Sequence, residues 1–238
     1  MDILSSQGCE QFRLNLCDAV CVARVEVGEH GSASYSPRTY ANAKGADLTV
    51  AFAVDFSTAG EKLTHKAAGD RYVGIDLSLE PIQAARRLYR ALHAHDAYTL
   101  NVAGNGIYTL AQHGWSQERI NRYVYEVMAK VHEHWPLKHV RSGGQTGVDM
   151  AGVTAAHALG IDALALLPKG FIQRSSDRVD RQMSEAEIRS QVLAGAAELV
   201  RYEVDQHARQ TPSFMAGKDS AVGEADEGVF LEVPGAAG

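Results

Sequence analysis

The stretch that decides the fold is residues 138–159, KHVRSGGQTGVDMAGVTAAHAL. Its first four residues predict a short strand, and a glycine-rich run follows at once. The remainder, 147–159, is rich in alanine and stops before Gly160, which is typical of a helix that ends on a glycine. A strand, a glycine turn and a helix in immediate succession are the repeating unit of a parallel α/β sheet.

The same alternation continues on both sides of this stretch. The patterns predict strands at 48–54, 71–75, 98–103, 163–167 and 199–204. They predict helices after a capping Ser57, with Glu61 on the wet side, and at 81–95, 116–135 and 184–197. Segment 163–167, ALALL, is entirely apolar, as expected for a strand covered on both faces. The sequence therefore predicts a Rossmann-like three-layer α/β/α fold with a mostly parallel sheet.

Domain organisation follows from where these patterns begin and end. We expect one Rossmann-like domain over residues 1–205, in which 1–45 form a strand and loop extension. Residues 206–238 are rich in Gly, Ala, Ser and acidic residues, a composition typical of a flexible tail.

Composition restricts the classes of function. The chain has 45% hydrophobic and 22% charged residues, which is ordinary globular usage, and its formal charge of −6 argues against a nucleic-acid-coating protein. No apolar stretch approaches the roughly 20 residues that span a bilayer, and no secretory pattern opens the chain. We expect a cytoplasmic protein without membrane contact; homo-oligomerisation stays open.

Cysteine and histidine patterns do not predict a metal site. An odd number of cysteines without finger-like spacing favours buried free thiols. The histidine pairs lie two residues apart on predicted helices, so that the members of each pair point in nearly opposite directions. The residues concerned are Cys9, Cys17, Cys21, His93, His95, His132 and His134.

The glycine-rich run is the strongest candidate for a binding site. Glycines allow backbone N–H groups to approach an anion, and the following helix adds the positive end of its dipole. The alternative is a tight turn that uses glycine only for its backbone freedom. The candidate residues, with polar side chains at the rim, are Ser142, Gly143, Gly144, Gln145, Thr146, Gly147 and Asp149. Asp149 either caps the helix or accepts hydrogen bonds from ligand hydroxyls.

Two further segments follow predicted strand ends. Gly104, Asn105 and Gly106 form a second turn, which contacts the same ligand or is an ordinary tight turn. Lys169 and Arg174 either neutralise ligand phosphates or are solvated loop charges. A third position, Asp55, binds a ribose hydroxyl or caps a helix. Together these residues predict a small anionic ligand, a nucleotide or a phosphorylated cofactor.

The run SGGQTGVD at 142–149, followed by an alanine-rich helix and by PKG at 168–170, resembles the molybdenum cofactor carrier family of the SLOG superfamily. The resemblance covers about residues 100–187. It implies a Rossmann-like fold and a ligand loop that includes Gly143, Gly144, Gln145, Thr146, Gly147 and Asp149, with Lys169 beside it. A molybdopterin-like ligand is one implied possibility. The related lysine-decarboxylase-like branch carries PGGxGTxxE, from which this run departs in its opening serine, its Thr–Gly order and the position of its acid.

Three functional hypotheses remain open at this point. The first is a binding or carrier protein for a nucleotide or molybdopterin-like molecule. The second is an enzyme that hydrolyses the N-glycosidic bond of a nucleotide, in which Asp149 or Asp55 stabilises positive charge on the ribose. The third is a bacterial or phage protein that senses or sequesters a nucleotide signal. Neither a nucleophile elbow nor a GxxxxGK[ST] loop occurs in the sequence, which argues against the common hydrolase and NTPase classes.

Overall fold

A computed structural model describes residues 23–210. The predictions for the three cysteines and for residues 211–238 lie outside the described residues. The strands are β1 Val25–Glu29, β2 Leu48–Ala53, β3 Tyr72–Asp76, β4 Thr99–Gly104, β5 His139–Ser142, β6 Asp162–Leu167, β7 Ile172–Arg174 and β8 Asp180–Gln182. The helices are α1 Tyr35–Lys44, α2 Ala59–Ala68, α3 Pro81–Ala94, α4 Ile107–Ala111, α5 Gln117–His132, α6 Val148–Ala158 and α7 Glu185–Gln210.

Six strands form one parallel sheet in the order β1-β6-β5-β4-β2-β3. The predicted α/β class and Rossmann-like architecture are confirmed. From β4 the chain proceeds through β5 to β6, whereas from β2 it proceeds to β3 on the other side. The gap between the carboxyl ends of β2 and β4 is therefore a topological switch point, where ligands bind in open α/β sheets. Strands β7 and β8 form a separate antiparallel hairpin.

The sheet is covered on both faces, and β4 shows which helices belong to which face. Neighbouring residues of a strand point to opposite faces. Val102 faces α6, where a Cβ atom added to Gly152 would lie 2.5 Å from the Val102 Cβ atom. Asn101 faces the other way and donates to the Thr49 hydroxyl at 3.2 Å. On that face Arg141, the register neighbour of Asn101, reaches the Gly45 carbonyl at the end of α1.

One face carries a dense helical layer, and the other carries two helices. Helices α3, α5, α6 and α7 pack together on the first face, while α1 and α2 pack against each other on the second. Every residue of α6 is buried, because α5 and α7 cover it from outside while the sheet lies beneath. An apolar, alanine-rich helix with no polar face suits this position.

Three predictions about local structure are wrong: the strand at 199–204, the N-cap at Ser57 and the exposed position of Glu61. The predicted strand at 199–204 is part of α7, whose buried stripe of Ile188, Val192, Ala196 and Leu199 has helical spacing. Five residues of the predicted tail, 206–210, also belong to this helix. The N-cap of α2 is Thr58, whose hydroxyl accepts from the Glu61 N–H group at 3.3 Å, and not Ser57. Glu61 is buried and does not face solvent.

Helix α1 lies within the extension 1–45, which the sequence predicts to consist of strand and loop. Its buried residues are Arg38, Asn42 and Ala43, so the sequence has no apolar stripe that would predict this helix. Within residues 23–210, no helix combines the length and apolar character needed to cross a bilayer.

Candidate functional site

A cavity of about 460 Å³ opens at the carboxyl edge of the sheet, on the α1 and α2 side. Its floor is formed by β4 and the glycine run after β5, and its walls by the two helices. It is lined by Tyr35, Arg38, Thr39, Asn42, Ala59, Gly60, Leu63, Thr64, Asn101, Ala103, Gly104, Gly106, Ile107, Tyr108, Gly143, Gln145, Thr146, Asp149 and Arg174. The cavity borders the switch point between β2 and β4.

Small residues on this face of the sheet create the space. Ala51 lies beside Ala103 in the register of β2 and β4, and Gly143 follows the last paired residue of β5. None of these three residues fills the volume between the sheet and the helices. A Cβ atom on Gly143 would lie 1.4 Å from Arg38 Nη1 and 2.2 Å from Asp149 Oδ2. Glycine at this position therefore leaves room for a buried pair of charged side chains.

That pair joins α1 to the first turn of α6. Arg38 Nη1 lies 3.2 Å from Asp149 Oδ2, and the two side chains are 8% and 11% exposed. Burial raises the pKa of Asp149, while the Arg38 guanidinium and a hydrogen bond from the Gln145 N–H group oppose that rise. A guanidinium keeps its proton in proteins, so a neutral Asp149 would leave a buried cation without a counter-ion. We infer that Asp149 is ionised.

Glu61 is the second carboxyl group near the cavity. It lies in the first turn of α2, between the lining residues Gly60 and Thr64, and is 2% exposed. Burial raises the pKa of Glu61 to about 8, with further contributions from the negative charges of Asp149 and Asp55. Its Oε2 atom has no hydrogen-bond partner among the described residues. At neutral pH this carboxyl group therefore carries its proton.

Two lining side chains also have unused polar atoms. Asn101 is buried and donates through Nδ2 to Thr49, but its Oδ1 atom has no partner in the described part of the chain. Arg38 uses Nη1 on Asp149 and leaves Nε without an acceptor there. Buried polar groups are nearly always hydrogen-bonded, so these atoms indicate that the cavity suits a polar ligand group or water.

The start of α6 is closed by the protein itself. The Gly147 N–H group donates to Gln117 Oε1 at 2.6 Å, and the Val148 N–H group donates to the Asn105 carbonyl at 3.2 Å. In the described part of the chain, the N–H group of Thr146 donates to no protein acceptor. Thr146 lines the cavity. The amide available to a ligand thus belongs to the turn and not to the first positions of the helix.

Gly144 and the polar side chains of the turn have structural contacts. Gly144 has φ of +65°, and a Cβ atom there would lie 2.7 Å from Leu167 Cδ1, so the turn requires glycine. Gln145 Nε2 donates to the Ile172 carbonyl at 2.7 Å, and the Thr146 hydroxyl donates to the Arg174 carbonyl. These bonds fasten the β7–β8 hairpin above the turn.

The hairpin brings Arg174 to the mouth of the cavity. Its Nε and Nη2 atoms lie 2.7 and 2.9 Å from the two carboxylate oxygens of Asp180, a bidentate pair at the surface. The same guanidinium lies over the Tyr35 ring, 5.6 Å from its centroid. Tyr35 also donates to Asp180 at 3.2 Å. Arg174 thus lines the cavity while its guanidinium is paired with Asp180.

The second predicted turn also reaches the cavity, through its glycines. Gly104 and Gly106 line it, whereas Asn105 is buried beside it. Asn105 Oδ1 accepts from the Val54 and Asp55 N–H groups at 2.9 and 3.0 Å, and its Nδ2 donates to the Asp55 carbonyl. The side chain clamps the ends of β2 and β4 together at the switch point.

The remaining candidates lie outside the lining. Lys169 is exposed, and Ser142 is buried with its hydroxyl on the Asp149 carbonyl at 2.8 Å. Asp55 accepts from the Ser57 N–H group at 2.7 Å, a bond that, with the Ser57 hydroxyl, lowers the pKa of Asp55. No group of three His, Cys, Asp or Glu side chains suited to a metal occurs in residues 23–210.

The sequence interpretation missed Arg38, Asn101 and Glu61. Arg38 reaches a partner 111 positions away, and no local pattern reveals such a pair. For Asn101 the sequence does contain one indication of a functional role. A polar residue in an otherwise apolar strand needs a hydrogen-bond partner when it is buried.

A scan against protein-family models gives no match to this chain, and a search of curated proteins gives none either.

Proposed function

We propose that this protein binds a nucleotide, or a phosphorylated cofactor of similar size such as a molybdopterin, in the cavity beside α1 and α2. The observation that carries the proposal is that both glycine turns border one cavity of about 460 Å³ at the switch point of the sheet. Ligands of open α/β sheets bind at this position, and cavities of about 300–1,000 Å³ accommodate small molecules and cofactors.

The cavity has an apolar part and a polar part. Ala59, Leu63, Ala103 and Ile107 supply apolar surface, and Tyr108 adds an aromatic ring. Such a surface suits the faces of a planar ring system. The polar part consists of the Asn101 amide and the Arg38–Asp149 pair, whose unused atoms suit the hydroxyl groups of a sugar.

The phosphate is best accommodated at the mouth. The N–H group of Thr146 is available there, and Arg174 provides a guanidinium that can bind phosphate through two hydrogen bonds. The surrounding ionised side chains have a net charge of +1, from three guanidinium groups and two carboxylates: Arg38, Arg141, Arg174, Asp149 and Asp180. This balance favours an anion although the chain as a whole is acidic.

Calorimetric titration with two probes tests the proposal. Adenosine 5′-monophosphate should bind at least tenfold more tightly than adenosine, because only the former has a phosphate. Gly60→Trp should abolish binding, since a Cβ atom at Gly60 meets open space and the indole would enter the cavity. Gly31→Trp is the matched control at another open glycine outside the lining. Equal affinities for the two probes, or equal binding by the two variants, would contradict the proposal.

The two carboxyl groups favour a second candidate, hydrolysis of the N-glycosidic bond of a nucleotide. Asp149 is held as a carboxylate by Arg38, whereas Glu61 keeps a proton to a pKa of about 8. Paired carboxyl groups in opposite protonation states are the usual acid and base of glycoside hydrolysis. Asp149 would stabilise positive charge on the ribose, water would add to the anomeric carbon, and the base would leave with a proton.

Chromatography of the products separates the two functions. Incubation with nucleoside monophosphates should release free base and ribose 5-phosphate if the protein is a hydrolase, and Asp149→Asn should stop the release. Recovery of intact nucleotide, together with binding, supports a carrier, or a protein that senses or sequesters a nucleotide signal.

A further inference from the structure

A second groove, of about 880 Å³, lies between α3 and α5, on the face of the sheet opposite the cavity. Three of its lining residues are exposed cations: Arg86 and Arg90 of α3 and Lys130 of α5. None of the three forms a salt bridge within residues 23–210. Glu133 is the single acidic residue of the lining. The groove therefore carries an excess of positive charge in a chain whose formal charge is −6.

The groove also offers apolar contact. Ile82 is 44% exposed, and Tyr89 is also part of the lining. A partner that matches this surface carries carboxylates together with apolar side chains.

Helix α7 leads the chain toward this groove. Gly195 of α7 lies beside Asn121 of α5, and further on the Tyr202 hydroxyl donates to Glu126 Oε1 at 2.9 Å. The two helices therefore run in the same direction, and Lys130 follows Glu126 by one helical turn. Beyond Tyr202, α7 continues for about two turns to Gln210, in the same direction in which α5 continues from Glu126 to Lys130.

The sequence after Gln210 has the matching chemistry. Residues 211–238 contain five acidic residues and a single basic one, Lys218. Four of the acids fall in the stretch 224–232, EADEGVFLE, which also contains the apolar run VFL. The 14 residues 211–224 can span up to about 45 Å, which is longer than α7 itself.

We propose that the stretch 224–232 binds in this groove of its own chain, with its carboxylates against Arg86, Arg90 and Lys130 and its apolar run against Ile82 and Tyr89. Charge-assisted contacts of this kind weaken as salt rises. The contact would tie the end of α7 to α3 across the outside of α5.

Zero-length carbodiimide cross-linking of the full chain tests the proposal. The reagent condenses the Lys130 ammonium with a nearby carboxyl group to an amide; the carbodiimide takes up the water and becomes a urea. Mass spectrometry of the digest should show Lys130 joined to an acidic residue of 224–232. In an equal mixture of ¹⁴N and ¹⁵N chains, the linked peptides should carry a single isotope, as required for a contact within one chain.

A charge reversal in the groove provides the control. Arg90→Glu should reduce the Lys130 cross-link at least fivefold, while Arg87→Glu, an equal change at an exposed residue of α3 outside the lining, should leave it unchanged. The neutral tail variant Asp226→Asn/Glu227→Gln should reduce the cross-link in an unaltered groove. The proposal would be overturned by equal cross-linking in the two arginine variants or by the absence of a link from Lys130 to 224–232. Linked peptides of mixed isotope would also overturn it, because they would show that the partner is a second copy of the chain.

Discussion

The two faces of the central sheet are built from the same strands and differ in how closely they are packed. On the α6 face, Val102 contacts a helix so closely that Gly152 has no room for a Cβ atom. On the α1 face, one residue away along β4, Ala103 borders a cavity of about 460 Å³. One face therefore supplies the stability of a dense core, and the other has space and buried polar groups in place of that packing.

The difference shows how a parallel sheet can carry a site without losing its core. Because side chains alternate along a strand, small residues at every second position remove volume from one face only. The buried charges Arg38 and Asp149 occupy the loosely packed face, where a ligand or water can satisfy their remaining polar atoms.

The largest expected effect comes from breaking the buried pair of the cavity face. Arg38→Met should lower the free energy of unfolding by about 3–5 kcal/mol, because Asp149 is left buried without its cation. The double variant Arg38→Met/Asp149→Leu should recover most of the loss. Urea denaturation measures both.

The control for this pair is Arg181→Met, which breaks an exposed ion pair with Asp177. It should cost at most about 1 kcal/mol. If Arg38→Met costs no more than Arg181→Met, the pair on the cavity face is not buried as described.

Overpacking the dense face should have the next largest effect. Gly152→Val should lower the free energy of unfolding by about 2–3 kcal/mol, because its side chain would overlap Val102. Adding Val102→Ala should restore part of the loss by removing the atoms that clash. A loss below about 0.5 kcal/mol for Gly152→Val would mean that α6 is not closely packed on β4.

The pH dependence of stability reports on Glu61. The pKa of Glu61 is raised from 4.5 to about 8 in the folded protein. Between these two pH values the folded state therefore keeps the Glu61 proton, whereas the unfolded chain has already lost it. The free energy of unfolding should therefore fall as pH rises through this window, by about 1 kcal/mol between pH 6 and 7. Glu61→Gln should remove this fall.

Glu118→Gln is the matched control, because Glu118 also lies in the first turn of a helix but is exposed. Its pKa is lowered by the Ser116 hydroxyl, so its replacement should not change the slope above about pH 5. Parallel stability curves for wild type and Glu61→Gln would contradict the buried, protonated state of this side chain.

The smallest effect is a gain on the open face. Gly60→Ala should raise the free energy of unfolding by about 0.5–1 kcal/mol, since alanine favours the helix and its Cβ atom meets nothing within 4 Å. Gly195→Ala, in α7 above the dense face, should instead destabilise, because its Cβ atom would lie 2.8 Å from Thr154 Cγ2. Thermal unfolding of both variants measures whether their changes in stability have opposite signs. Changes of the same sign would contradict the difference in packing between the two faces.

The sequence predicted the parts of the fold that rest on apolar patterns. The buried strand β2 and the alanine-rich helix α6 are examples, and the latter correctly located the glycine turn at a strand end. Helix α1 was not predicted because its inner face is polar and borders a cavity instead of packing on an apolar core. The strand predicted at 199–204 failed because Val200, Tyr202 and Val204 alternate by chance within a helix.

The site was predictable only in outline. Both glycine turns could be placed at one edge of the sheet from their position after strands. The roles of Gln145, Thr146 and Asn105 could not, because their partners lie on segments distant in sequence. Glutamate is normally solvated, and only the packing of α2 on the sheet buries Glu61.

The central claim is that the open face holds a phosphorylated ligand, and native mass spectrometry of protein purified from cells tests it most directly. We expect a retained small molecule that releases a phosphate fragment on collision, present in wild type and Gly31→Trp and absent from Gly60→Trp. Retention of the same mass by the folded Gly60→Trp variant would contradict it, as would a retained molecule without phosphate.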